Sequence, residues 1–110
     1  MIKVSEHKSY NKLVRDKIPE ILEGKGIKYT TATLSDEAYL DCLDSKLFEE
    51  VTEYDMDKTQ EEIADVLEVL RAIADARGYK WSDILAIQEK KREERGGFAK
   101  KILLISTEEG

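Results

Sequence analysis

Four acidic residues stand in two pairs of equal spacing, Glu50 with Glu53 and Glu62 with Asp65. Residues three apart share one face of an α-helix, so each pair can direct both carboxylates at one ion. Two such pairs hold a metal only if their helices bring them to the same side and the same level. Taking Leu47 as zero and about 100° per residue, Glu50 falls near −60° and Glu53 near −120°. With Leu70 as zero on the next helix, Glu62 falls near about −80° and Asp65 near about −140°. Both pairs therefore flank an apolar stripe on the same rotational side. In an antiparallel hairpin turning between Asp57 and Lys58, Glu53 mirrors Glu62 and Glu50 mirrors Asp65. Four unpaired carboxylates brought together repel one another unless a cation joins them. Oxygen-only ligands point to Mg²⁺, with Mn²⁺ as the alternative. The competing reading is a solvated acidic face, common in a chain that is 38% charged.

The elements that must position these residues follow from periodicity and punctuation. Ser35 is set to cap a long helix, with Asp36 and Glu37 in its first turn. Leu40, Leu43, Leu47, Val51 and Tyr54 recur in steps of three and four and form its stripe. A polar break over Asp55 to Thr59 precedes a second long helix, from about Gln60 to Arg77, closed by Gly78. Its stripe is Ile63, Val66, Leu67, Leu70, Ile73 and Ala74. A third long helix starts near Ser82 and ends at Gly96 and Gly97. A short helix is expected from Asp16, as N-cap, to Glu23, with Pro19 in its first turn. The β-branched segments near 28–33 and 101–106 suggest a small two-stranded sheet. The fold expected is mainly all-α, an antiparallel helix hairpin extended into a bundle, with that sheet as an adjunct.

At 110 residues the chain suits one domain. Its net charge of −6 argues against polymeric nucleic acid, which selects basic surfaces. A single nucleotide held through a bound cation remains compatible with it. The only cysteine, Cys42, excludes an intrachain disulfide and reads as a small helix residue. Met1 to Glu6 carries no apolar leader core, and no run of eighteen apolar residues occurs. A cytoplasmic protein away from the membrane is expected. The only histidine, His7, is expected at the surface, and no Ser-His-Asp set is available. Water activated by a metal is then the natural attacking group. Trp81 and Phe98 are expected in the core.

The strings Phe48-Glu49-Glu50-Val51-Thr52-Glu53 and Glu61-Glu62-Ile63-Ala64-Asp65-Val66 resemble the MazG-like all-α NTP pyrophosphatase superfamily. Its hallmark is E-E-x-x-E on one helix and E-x-x-D on the next. Tyr10 to Pro19 and Arg95-Gly96-Gly97-Phe98 are similar to the ends of its compact house-cleaning branch. Eight residues separate Glu53 from Glu62, fewer than in many members. The resemblance implies hydrolysis of a nucleoside triphosphate between its α and β phosphates, giving a monophosphate and pyrophosphate. It implies metal ligands at Glu50, Glu53, Glu62 and Asp65, with Glu49 or Glu53 orienting the water. Lys12, Arg15 and Lys17, and Lys91, Arg92 and Arg95 beyond them, are cations suited to phosphate. A homodimer or homotetramer is implied as well. The same fold also serves phosphoribosyl-ATP pyrophosphohydrolase of histidine biosynthesis. A non-catalytic helical interaction module is the reading outside enzymology.

Overall fold

The computed structural model describes residues 8–110; the expectations for Met1 to Glu6 and for His7 lie outside these residues. Four α-helices follow in order: α1 (Ile18–Gly24), α2 (Asp36–Asp57), α3 (Gln60–Ala76) and α4 (Trp81–Arg95). The fold is all-α. The chain divides into two compact units, Met1–Gly78 and Tyr79–Gly110.

In the first unit, α2 packs against α3. Ser35 begins α2 in extended conformation, and its side chain accepts from the Ala38 amide. Thr59 does the same for α3, accepting from the Glu62 amide. Each cap satisfies an amide that the first helical turn leaves without a backbone partner. The polar break is shorter than expected, because α2 runs on through Asp57. Only Lys58 and Thr59 link the two helices. Lys58 takes the left-handed conformation, φ 56° and ψ 31°, which reverses the chain. At the other end of α3, Gly78 has φ 76°, a region closed to most side chains.

The covered faces of α2 and α3 keep Leu40, Leu43, Leu47, Val66, Ile73 and Ala74 of the expected stripes and are shifted away from the rest. Leu43, Val69 and Ala74 are buried, whereas Val51, Ile63, Leu67 and Leu70 are exposed. On α3 the covered face includes Glu62, Asp65, Val66, Val69 and Ile73; on α2 it includes Tyr39, Leu43, Lys46 and Glu50. Each face is turned by about 80° from its stripe, toward the carboxylates. Glu50, Glu62 and Asp65 are thus partly covered where the two helices meet, while Glu53 and Asp57 stay exposed.

Helix α1 begins at Ile18 with Lys17 as N-cap, so Asp16 does not cap it. Pro19 occupies the first turn, where its missing amide costs nothing. The expected sheet is absent: no strand occurs among the described residues. A β-branched run becomes a strand only when another strand pairs its backbone. The two segments belong to different units, and Ile102 to Ile105 stand largely exposed.

The second unit contains α4, which starts at Trp81 with Lys80 as N-cap rather than at Ser82. Trp81 and Ile84 are partly covered, and the rest of α4 is exposed. Phe98 is fully exposed and takes no part in a core. No described helix is long and apolar enough to cross a membrane.

Candidate metal centre

The register of the hairpin decides which carboxylates meet. One oxygen each from Glu50, Glu62 and Asp65 lie within 4.8 Å of one another, across the seam between α2 and α3. Glu53 meets Glu62 from the opposite helix, and Asp57 joins them in a second group with the same spacing. Glu62 belongs to both groups. The pairing of levels matches the mirror about the turn, Glu53 with Glu62 and Glu50 with Asp65.

Three cations reach one half of this band. Lys46 Nζ donates to Glu49 Oε1 at 3.2 Å and lies 3.2 Å from Glu50 Oε1. The side chains of Lys46 and Glu50 are only 17% and 13% exposed, so this pair is shielded far better than an ordinary surface bridge. Lys12 Nζ lies 3.5 Å from Glu49 Oε1. Arg15 Nη2 donates to Asp65 Oδ1 at 2.7 Å. Lys12 also stands over the Tyr10 ring, 5.7 Å from its centroid. Among the described residues, no lysine or arginine pairs with Glu53, Asp57 or Glu62.

The charges respond accordingly. Partial burial, and then the carboxylates of Asp57, Asp65, Glu53 and Glu50, raise the Glu62 pKa above the usual value for a glutamate. Burial alone would lower the Lys46 pKa, but hydrogen bonds to Glu50 and Glu49 outweigh it and the pKa is raised.

The donor set fits a hard divalent cation. All ligands are carboxylate oxygens, and a Mg²⁺ ion with ligands at about 2.1 Å spans about 4.2 Å between opposite donors. One oxygen each of Glu50, Glu62 and Asp65, within 4.8 Å of one another, is compatible with that span. Glu53 belongs to the adjoining group, and Glu49 stands apart from both, held by two lysines.

Of the cations singled out for phosphate, Lys12 and Arg15 stand beside the carboxylates. Lys17 occupies the N-cap position of α1 without a side-chain capping bond and forms no ion pair among the described residues. Lys91 and Arg95 belong to the second unit and stand exposed on α4.

Two participants escaped the sequence reading. Asp57 lies four residues after Glu53, and Lys46 lies three and four before Glu49 and Glu50. Both spacings place side chains on one helix face and were legible in principle.

No family model matches the chain. No solved structure matches it. An uncharacterized protein of Mycolicibacterium smegmatis is 51% identical over 41 residues, a stretch that covers 37% of this chain. The chain spans 42% of that relative's length.

Proposed function

We propose that this protein is a Mg²⁺-dependent nucleoside triphosphate pyrophosphohydrolase, cleaving non-standard or damaged nucleotides to a monophosphate and pyrophosphate. The observation that carries the reading is the meeting of Glu50, Glu62 and Asp65 oxygens within 4.8 Å across two helices, with Arg15 and Lys12 beside them. The resemblance of the acidic motif and both flanking segments to the MazG-like superfamily supplies the substrate class.

Glu50, Glu62 and Asp65 would hold the cation, with Glu53 completing the set from the next level. When bound, the cation supplies Lewis-acid activation of water and neutralises phosphate charge. The protein's own groups divide the remaining work. Glu49 is held by the ammonium groups of Lys12 and Lys46, so its oxygen is engaged away from the converging carboxylates. Glu53 has no cationic partner among the described residues, so an oxygen it does not give to the cation is open to accept a hydrogen bond from the attacking water and orient it. Lys12 and Arg15 meet the phosphate oxygens, Arg15 as a planar fork and Lys12 as a point charge.

The exposed face formed by Val51, Ile63, Leu67 and Leu70 supports assembly as a homodimer or homotetramer, since a hairpin alone leaves that apolar surface in water.

A hydrolysis screen tests the function. Ordinary and modified nucleoside triphosphates, with phosphoribosyl-ATP among them, are incubated with Mg²⁺ and pyrophosphate is measured. Pyrophosphate and monophosphate in equal amounts are expected from one or more triphosphates. Orthophosphate as the first product contradicts the reading, and turnover of phosphoribosyl-ATP alone reassigns the substrate.

A further inference from the structure

We infer that Arg15 is an exchangeable internal cation: it occupies Asp65 while the centre lacks metal and passes to the triphosphate when metal binds. The inference rests on the metal-centre reading above and goes beyond it by assigning an order to the binding events.

The same carboxylate is asked to do two things. Asp65 Oδ1 accepts the Arg15 guanidinium at 2.7 Å, and Asp65 is one of the three residues whose oxygens converge across the seam. A carboxylate turned onto a divalent cation holds a guanidinium more weakly, because the metal draws charge from both of its oxygens and the two positive charges repel. The pair is also easy to break. Arg15 is 60% exposed and Asp65 40%, so water screens the bond and solvates both groups as they part.

The backbone is suited to such an exchange. Arg15 lies in the turn just before α1, and its carbonyl is held by the Ile18 amide at 3.0 Å. The guanidinium therefore swings on its own long side chain while the main chain stays anchored. Lys12 repeats the arrangement more loosely, 3.5 Å from Glu49, on a carboxylate outside the triad. Once displaced, Arg15 remains beside the centre and presents its donors to the oxygens of an incoming triphosphate. Metal loading thus frees the residue that recognises phosphate.

The test is calorimetry on wild type, Arg15→Ala, Arg15→Lys and, as a charge control, Lys25→Ala. Each is titrated with Mn²⁺ alone, then with inorganic tripolyphosphate in saturating Mn²⁺. Removing the competitor should make Arg15→Ala bind Mn²⁺ several-fold more tightly than wild type. The same variant should bind tripolyphosphate more weakly, by about tenfold. Arg15→Lys should fall between the two in both titrations, and Lys25→Ala should match wild type for Mn²⁺. Wild-type Mn²⁺ affinity in Arg15→Ala overturns the exchange while leaving the metal centre standing. Equal tightening in Lys25→Ala overturns it too, by showing that net charge and not competition is at work. Failure of wild type itself to bind Mn²⁺ overturns the metal centre, and the exchange falls with it.

Discussion

The two halves of the acidic band in the α2–α3 seam differ in what neutralises them. Glu49, Glu50 and Asp65 are met by Lys46, Lys12 and Arg15. Glu53, Asp57 and Glu62, nearer the turn, converge with no lysine or arginine paired to them among the described residues. The first half shows how a packed hairpin accepts carboxylates in its seam: each is offset by a cation of the same chain. The second half shows what remains when none is supplied, a glutamate whose pKa is driven upward. Repulsion left unresolved in one place, next to oxygens already converging, is the charge that the proposed cation would neutralise.

Stripping the neutralised half should have the largest effect on stability. Lys46→Met keeps the apolar stem but leaves the well-covered Glu50 carboxylate without its partner. A loss of about 1–3 kcal/mol in urea unfolding is expected, in line with a polar group stranded in a covered site. Added Mg²⁺ should recover part of it, since a divalent cation replaces the missing charge. A metal-free stability equal to wild type would erase the contrast between the halves.

A smaller effect is expected at the start of α3. Thr59→Ala removes the hydroxyl that accepts from the Glu62 amide. The loss should be about 1 kcal/mol by thermal or denaturant unfolding, typical of an N-cap. Mg²⁺ affinity should fall as well, because the cap sets the turn that carries Glu62. Unchanged stability would mean that the fold does not depend on this cap.

The smallest effect belongs to Glu62 and is best read through pH. With its pKa raised in the folded state, native Glu62 holds its proton more tightly than the unfolded chain does. Stability of the metal-free protein therefore falls as pH rises from the ordinary glutamate value through the folded one, and levels off above it. Glu62→Gln should lack that falling limb and melt higher than wild type at neutral pH without metal. With Mg²⁺ present the order should reverse. A flat wild-type profile across the acidic range would show that the turn-side carboxylates are adequately solvated.

Much of this arrangement was legible in the sequence because it depends on local rules. Ser35 as a cap, the turn near Lys58 and the i, i+3 acidic pairs follow from backbone chemistry and helical period. Thr59 could have been read too: Thr59 followed three residues later by Glu62 is the pattern of a capping box. What local rules did not supply was the rotation of each helix. Hydrophobicity alone placed Ile63, Leu67 and Leu70 inward, yet the covered face is centred near Glu62 and Val69. That choice is made by the packing of α2 on α3, which the pattern of one helix by itself does not contain. The sheet failed for a related reason. Ile102 to Ile105 have strand composition, but composition does not provide a pairing partner.

Glu50 and Asp65, one from each helix, both belong to the converging group on which the proposed activity depends. The measurement is Mg²⁺-dependent pyrophosphate release by Glu50→Gln and Asp65→Asn, on the best triphosphate from the screen, with circular dichroism taken alongside. The amides keep size and shape but lose the anionic oxygen that a hard cation requires. Turnover at background is expected in both variants, with helical content unchanged. Full activity in Glu50→Gln would contradict it.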